Sequence, residues 1–242
     1  MNYAASVSDF FKSPKWMMNL LFGGVCVLIP IVGQMVVLGW LITGFWARQD
    51  ESFETFPAFD FSHFGKYLER GLWPFLVAFV VSLLTVPLMW LVMIPAMFVG
   101  GISAGHNKEI GGCFGAFALV LGMLFIFLIM FGLVLLLTPL KLRASLTQDF
   151  GKAFDLGFLK RFVALTWKEI VLSSLFVMAT SILFTCLGLI VFCVGAYFAS
   201  VLSYFSWTHL HKQLYALYLS RGGEPIPLSP KLNDATPAMP GA

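Results

Sequence analysis

Residues Ile170 to Trp207 form a run of 38 positions without one Asp, Glu, Lys, Arg or His. As a single straight helix the run would extend about 57 Å at 1.5 Å per residue. A bilayer core of about 30 Å takes roughly 20 residues to cross. The run is therefore too long for one crossing and close to the length of two. Its middle, Cys186-Leu-Gly-Leu-Ile-Val-Phe-Cys-Val-Gly195, supplies glycine where a reversal of the chain needs it. This predicts a helical hairpin within 170–207, with the remaining helices gathered around it.

Three further runs, 16–46, 72–98 and 113–139, are equally free of charge, so all 15 Lys and Arg and all 12 Asp and Glu residues lie outside the four runs. A soluble domain has about a quarter of its residues charged, against 11% here. Hydrocarbon imposes such segregation and a soluble core does not. The expected fold is all-α and polytopic. Four full transmembrane helices are placed in 72–98, 113–139 and the two arms of 170–207.

The first run is interrupted by Pro30-Ile-Val-Gly33-Gln34. Proline removes a helical hydrogen bond and clashes with the preceding turn. The halves, 16–29 and 34–46, are each about 20 Å long as helices. They form either one kinked span or a Pro/Gly-broken hairpin whose turn is Pro30 and Gly33. With a hairpin, every Lys and Arg except Lys108 falls on one face, 14 against 1, whereas a single crossing divides them 12 and 3. Positive charge gathers on the cytoplasmic side, so the sharper asymmetry favours the hairpin, with both termini cytoplasmic. Trp16, Trp46, Trp73, Trp167 and Trp207 then share that interface. Lys12 and Lys15 precede the first run, but no A-x-A-like site follows, and the segment is read as retained.

Between the runs, Phe61, Phe64, Tyr67 and Leu68, and again Leu146, Phe150, Phe154, Phe158 and Phe162, recur near helical spacing. They predict amphipathic helices lying at the interface in 59–71 and 144–167. Lys141, Arg143, Lys152, Lys160, Arg161 and Lys168 border the second and are expected to meet anionic lipid headgroups. Gly195, Ala199 and Ser203 at four-residue steps read as a helix-packing seam. His209 and His211 point about 200° apart on a helix; they read as surface groups at headgroup level, unable to share a metal. The tail 221–242, rich in Pro and Gly, is expected to be disordered, leaving 1–220 as a single transmembrane domain.

Chemistry is constrained by the same emptiness. Ion-coupled transport and intramembrane proteolysis need ionisable groups at depth, and a serine nucleophile needs a base; the four runs supply neither. No catalytic residue, cofactor or metal is expected, and no nucleic-acid partner. Cys26, Cys113, Cys186 and Cys193 read as small buried hydrophobes. Two functions remain. One is a scaffold or accessory subunit that packs with a membrane-protein partner or a second copy. The other is a permease or lipid-handling protein with an apolar cavity beside a second span kinked at Pro87 and Pro95. The first is preferred because nothing marks a substrate site.

Leu28-Ile-Pro30-Ile-Val-Gly33 is followed by Leu38-Gly39-Trp40; the connector carries Asp50-Glu51, Phe56-Pro57, Asp60 and Gly71-Leu72; the chain closes with Cys193-Val-Gly195, His209-Leu210 and Gln213-Leu-Tyr215. Together these features resemble the bacterial and archaeal membrane family catalogued as domain of unknown function 4013, over roughly residues 10–218. Phe59 departs from the tryptophan usual there, and the middle of the connector is less acidic. The resemblance implies an integral membrane protein with no assigned activity, and it carries over no functional residue.

Overall fold

The computed structural model describes residues 1–48, 50, 52–106, 108–190 and 195–233, with side chains except those of 96, 99–114 and 233. Every regular element among them is helical: α1 Tyr3–Ser8, α2 Trp16–Val27, α3 Val32–Trp46, α4 Phe64–His106, α5 Lys108–Thr147, α6 Phe150–Ala153, α7 Leu156–Ile190, α8 Gly195–Ser220 and α9 Pro230–Asn233, with 3-10 turns at Asp9–Lys12, Phe53–Thr55 and Phe61–His63. Among the described residues three helical segments, Phe61–Pro95, Gly115–Thr147 and Leu156–Ile190, are long and apolar enough to cross a membrane. Residues Met1–Val77 and Thr138–Ala242 make one compact unit, and Ala78–Leu137 a second.

The run 16–46 breaks into two helices. Just past α2 the Leu28 and Ile29 amides donate to the carbonyls of Gly24 and Cys26, Pro30 has no N–H to continue the ladder, and Ile31 takes φ 66°, a conformation unfavourable to a β-branched residue. Helix resumes at Val32. A Cβ on Gly33 would collide with the carbonyl oxygen of Cys26, so glycine is what lets α3 lie against the end of α2.

In the first unit α8 is the central helix, packed against α7, α2, α3 and α1. Gly23 and Gly24 of α2 seat Val201 and the Phe198 ring. Gly188 of α7 meets Gly195 backbone to backbone. Helices α3 and α4 cross where Gly39 lies on the Tyr67 carbonyl and Gly71 on that of Met35. An aromatic core of Trp40, Phe45, Phe56, Phe59 and Phe205 fills the space between, with ring centroids 5.1–5.6 Å apart. In the second unit the apolar side chains face outward, as at Leu84, Leu91, Met123 and Phe127.

Four expectations change. The segment 59–71 is not a separate interfacial helix: after the 3-10 turn, α4 starts at Phe64 and continues through Pro74, Pro87 and Pro95. Tyr67 and Arg70 are buried against protein at 4% and 2% exposure, so this segment packs instead of floating. The segment 144–167 is a corner. Asp149 accepts from the Lys152 amide at 3.1 Å, and Asp155 from the amides of Gly157 and Phe158 at 2.9 and 3.1 Å. Two aspartate N-caps thus divide one periodic stretch into the end of α5, α6 and the start of α7. In the run 170–207 the arms are uneven, 170–190 and 195–207, and the turn between them lies outside the described residues. The tail docks rather than fraying: Glu224 and Ile226 amides donate to the phenol oxygens of Tyr218 and Tyr215 at 3.1 and 2.8 Å, and Ser229 donates to the Leu146 carbonyl at 2.9 Å. Ile226 and Leu232 are buried; residues 234–242 lie outside the described set.

Candidate functional site

The polar groups of the first unit converge on α8. Ser6 Oγ meets Ser206 Oγ at 3.0 Å, and Asp9 Oδ2 meets His209 Nε2 at 3.1 Å. Gln213 accepts from the Asn2 amide at 2.6 Å and donates to the Asn2 carbonyl at 3.0 Å and to His209 Nδ1 at 2.9 Å. The steps of three and four residues put these partners on one face of each element. They form three rungs that hold the N-terminal segment along α8. Lys12 closes the row on Asp9 at 2.8 Å.

His209 stacks on Phe53 at 5.1 Å and meets Phe45 edge-on at 5.6 Å. His209 and His211 are only 7% and 8% exposed, which corrects their reading as surface groups: α8 is covered on several sides, so both of its histidine faces are internal. Burial holds the His209 imidazole below its ordinary pKa despite the pull of Asp9. With Nε2 engaged by Asp9 and Nδ1 by Gln213, the imidazole is a structural tie with both nitrogens occupied.

A second polar tie is centred on Arg70, which donates to Thr43 Oγ1 at 2.8 Å and to the Lys231 carbonyl at 2.6 Å. Gln148, at φ 51°, donates to the carbonyls of Arg70 and Ser145 at 3.2 and 2.7 Å. These bonds join α3, α4, the α5–α6 corner and the tail. The connector is fixed by Trp40 Nε1 donating to the Pro57 carbonyl at 3.0 Å and by the Phe59 amide donating to Asn19 Oδ1 at 2.7 Å.

The residues singled out in the sequence are distributed over this frame. Pro30 and Gly33 lie at the α2–α3 turn. Gly195 packs on Gly188, Ala199 is 7% exposed, and the Ser203 hydroxyl returns to the Ala199 carbonyl at 3.3 Å. Arg143 is used by the corner, donating to the Lys152 carbonyl and to Asp155, each at 2.7 Å, with its guanidinium 4.9 Å from the Phe158 ring centre. Arg161 reaches Glu224 and the Gly222 carbonyl. Lys152, Lys160 and Lys168 are exposed, and Lys141 is half-buried. Among the described residues no group of three or more His, Cys, Asp or Glu could hold a metal. Glu51 and Cys193 fall outside the described set. Asp9 and Arg70 were not picked out from the sequence, and Gln213 only as part of the closing Gln213-Leu-Tyr215 motif; for Asp9 the available signal was a charge directly before Phe10 and Phe11.

The glycine crossings and the Trp40–Pro57 bond fall within one recognisable stretch. A family model described as Protein of unknown function (DUF4013) matches residues 22–209. The chain belongs to this family. No curated protein and no solved structure matches it. The DUF4013 match begins inside α2 and ends at His209, so it takes in the α2–α3 turn and the α3–α4 crossing, while α1 and the docked tail lie beyond it. With three helices long and apolar enough to span a bilayer, this DUF4013 member is a multi-pass membrane protein.

Proposed function

We propose that this DUF4013 protein is a non-enzymatic scaffold or accessory subunit of a bacterial or archaeal cytoplasmic membrane. It packs against a partner membrane protein, or a second copy, through the apolar faces of α4, α5 and α7. The observation that carries this reading is the surface of α5. The most apolar stretch of Gly115–Thr147 is only 6% buried, and Gly132 opens onto empty space. A glycine inside a helix costs about 1 kcal/mol relative to alanine, and small residues serve where another helix approaches closely.

Four crossings, 72–98, 113–139, 170–190 and 195–207, accompany a short α2–α3 hairpin that enters and leaves from one side. Helix α8 carries polar residues, but Ser206, Thr208, His209 and His211 are covered by protein, so it needs less apolarity than a lipid-facing span. The pairs Asn2–Gln213, Arg70–Lys231 and Leu146–Ser229 bring the N-terminus, the start of α4, the end of α5, the end of α8 and the tail together. This supports one shared side for all of them, which also carries every Lys and Arg except Lys108 and is by that measure cytoplasmic.

The test is photocrosslinking in native membranes from reactive residues placed at Phe127 and Gly132. The scaffold reading expects a discrete protein adduct. Adducts with lipid alone would overturn it in favour of the permease or lipid-handling reading.

A further inference from the structure

The tail beyond α8 turns back on the helix it leaves. Gly222 takes φ 83°, which costs glycine nothing sterically, and a Cβ on Gly223 would strike the Tyr218 ring. From Gly223 to Ser229 the chain has no regular secondary structure. Pro225 and Pro227 hold the residues before them, Glu224 and Ile226, in extended conformations. In an extended chain residues two apart point the same way, and proline has no N–H, so the amides of Glu224 and Ile226 lie along one side. Both are met by side chains of α8: Tyr218 Oη accepts from Glu224 at 3.1 Å and Tyr215 Oη from Ile226 at 2.8 Å. The two tyrosines are three positions apart, hence on one helix face, with their rings stacked at 6.4 Å.

The side chains of the segment are engaged as well. The Glu224 carboxylate meets Arg161 of α7, whose guanidinium also donates to the Gly222 carbonyl at 2.9 Å. Ile226 is 4% exposed, whereas Pro225, Pro227 and Leu228 face solvent. At the far end the Leu146 carbonyl accepts from the Ser229 amide at 2.9 Å. Peptide ligands are held in this manner: main-chain bonds fix the course, a few side chains fix the register, and proline lowers the cost of ordering the chain. Both members of the Arg161–Glu224 pair are exposed, so that pair orients the segment more than it locks it.

We propose that the groove lined by Arg161, Tyr215, Tyr218 and Leu146 is a docking site for an extended acidic-Pro-aliphatic-Pro segment of a partner protein. Residues 224–229 occupy it as a ligand in cis, which the partner segment displaces. The occupant sets the chemistry of the partner: a carboxylate for Arg161, an aliphatic side chain two positions on, and a proline after each. This site uses none of the apolar surface invoked above and stands without the scaffold reading.

The probe is a fluorescent peptide with the sequence of residues 221–229, titrated into the full chain in mild detergent and read by anisotropy. The variant E224K/I226D/L232A undocks its own tail and leaves the groove intact. It is expected to bind the peptide at least about tenfold more tightly than wild type, whose tethered tail competes at high effective concentration. In that background Y215F and R161Q should each weaken binding by about threefold to tenfold, as loss of one hydrogen bond does. A peptide carrying the E224K and I226D changes should not bind. Absence of saturable binding to the variant, or equal binding of the two peptides, overturns the proposal. Wild-type dimerisation that excess peptide abolishes overturns the foreign partner in favour of the tail of a second copy. Should the variant not fold, wild type decides: excess peptide is expected to speed proteolysis within its own tail while the changed peptide does not, and equal rates with the two overturn the site. None of these readouts involves the membrane-embedded surface, so their failure is separate from that of the crosslinking experiment.

Discussion

Asp9 and His209 stand 200 positions apart in the chain and share a 3.1 Å hydrogen bond in a place almost closed to water. That bond fixes the N-terminal segment to α8, and it works with an uncharged imidazole. Burial lowers the pKa of His209, and burial together with the charge of Lys141 lowers that of His211 to about 3. A histidine whose folded pKa lies below its free value binds fewer protons when native, so it favours folding above about pH 6.5. That contribution erodes as the pH falls towards the folded pKa. The melting temperature in detergent is expected to decline between pH 7 and pH 5, with a shallower decline in H211F.

Removing the carboxylate tests the rung directly. D9N should destabilise the protein by about 1–3 kcal/mol, the usual cost of weakening a buried charged hydrogen bond. Chemical denaturation in detergent at pH 7.5 measures it.

Gly39 and Gly65 make a matched pair. A Cβ at Gly39 strikes the Tyr67 carbonyl, whereas one at Gly65 meets nothing within 4 Å. G39A should therefore force α3 and α4 apart and cost about 1–3 kcal/mol. G65A should be neutral or gain about 0.4–1 kcal/mol by restricting the unfolded chain. Both are read as shifts in thermal unfolding.

Ala199 is 7% exposed on the central helix, and Leu172 of α7 is 54% exposed. A199L should overpack and destabilise by about 1–3 kcal/mol. L172A should stay within about 0.5 kcal/mol in detergent. Equal effects from the two would mean that the Ala199 face is not packed.

The docked tail offers a test by proteolysis. Leu232 is 1% exposed, and its truncation to alanine removes the anchor that follows the Ser229–Leu146 bond. L232A is expected to speed cleavage within 221–233 by about tenfold, equivalent to 1.4 kcal/mol of docking free energy. Cleavage at the wild-type rate would show that the docking does not depend on this side chain.

Membrane orientation is testable with single cysteines in a cysteine-free background. Ser6 is closed off by Ser206, so exposed Lys15, Ser62 and Lys152 are the better reporter positions, with Lys108 as the opposite side. In intact cells an impermeant thiol reagent should reach only the reporter at 108. Labelling at 15 but not at 62 would restore the single kinked span for 16–46.

The apolar runs made the helices legible in advance, because charge segregation is imposed by the solvent and needs no tertiary knowledge. The break at Pro30 was legible for the same local reason: a missing N–H. What periodicity could not reveal was continuity. Tyr67 and Leu68 repeat at the same spacing whether a helix lies on lipid or packs on α3, and only Gly39 beneath Tyr67 decides between them. Asp149 and Asp155 carried a readable capping signal that the more conspicuous phenylalanine spacing obscured. His209, His211, Arg70 and the tail were misread or passed over because burial of a polar group depends on partners up to 200 residues away, and composition favours solvent for each of them.

The three rungs between α1 and α8 also set an order in time. Ribosomes add about 5–20 residues per second, so the N-terminal segment waits roughly 10–40 s for the helix that receives it. Through that interval Ser6, Asp9 and Asn2 lack their partners on α8, while the α2 glycines lie bare where Val201 and Phe198 will sit. A chain cut short before α8 would keep its α2–α3 hairpin and still never finish its interior. Such a product would present an unfilled apolar groove and a loose amino terminus to the cell's proteases, so the arrival of α8 acts as the check that the helices before it can close on one interior.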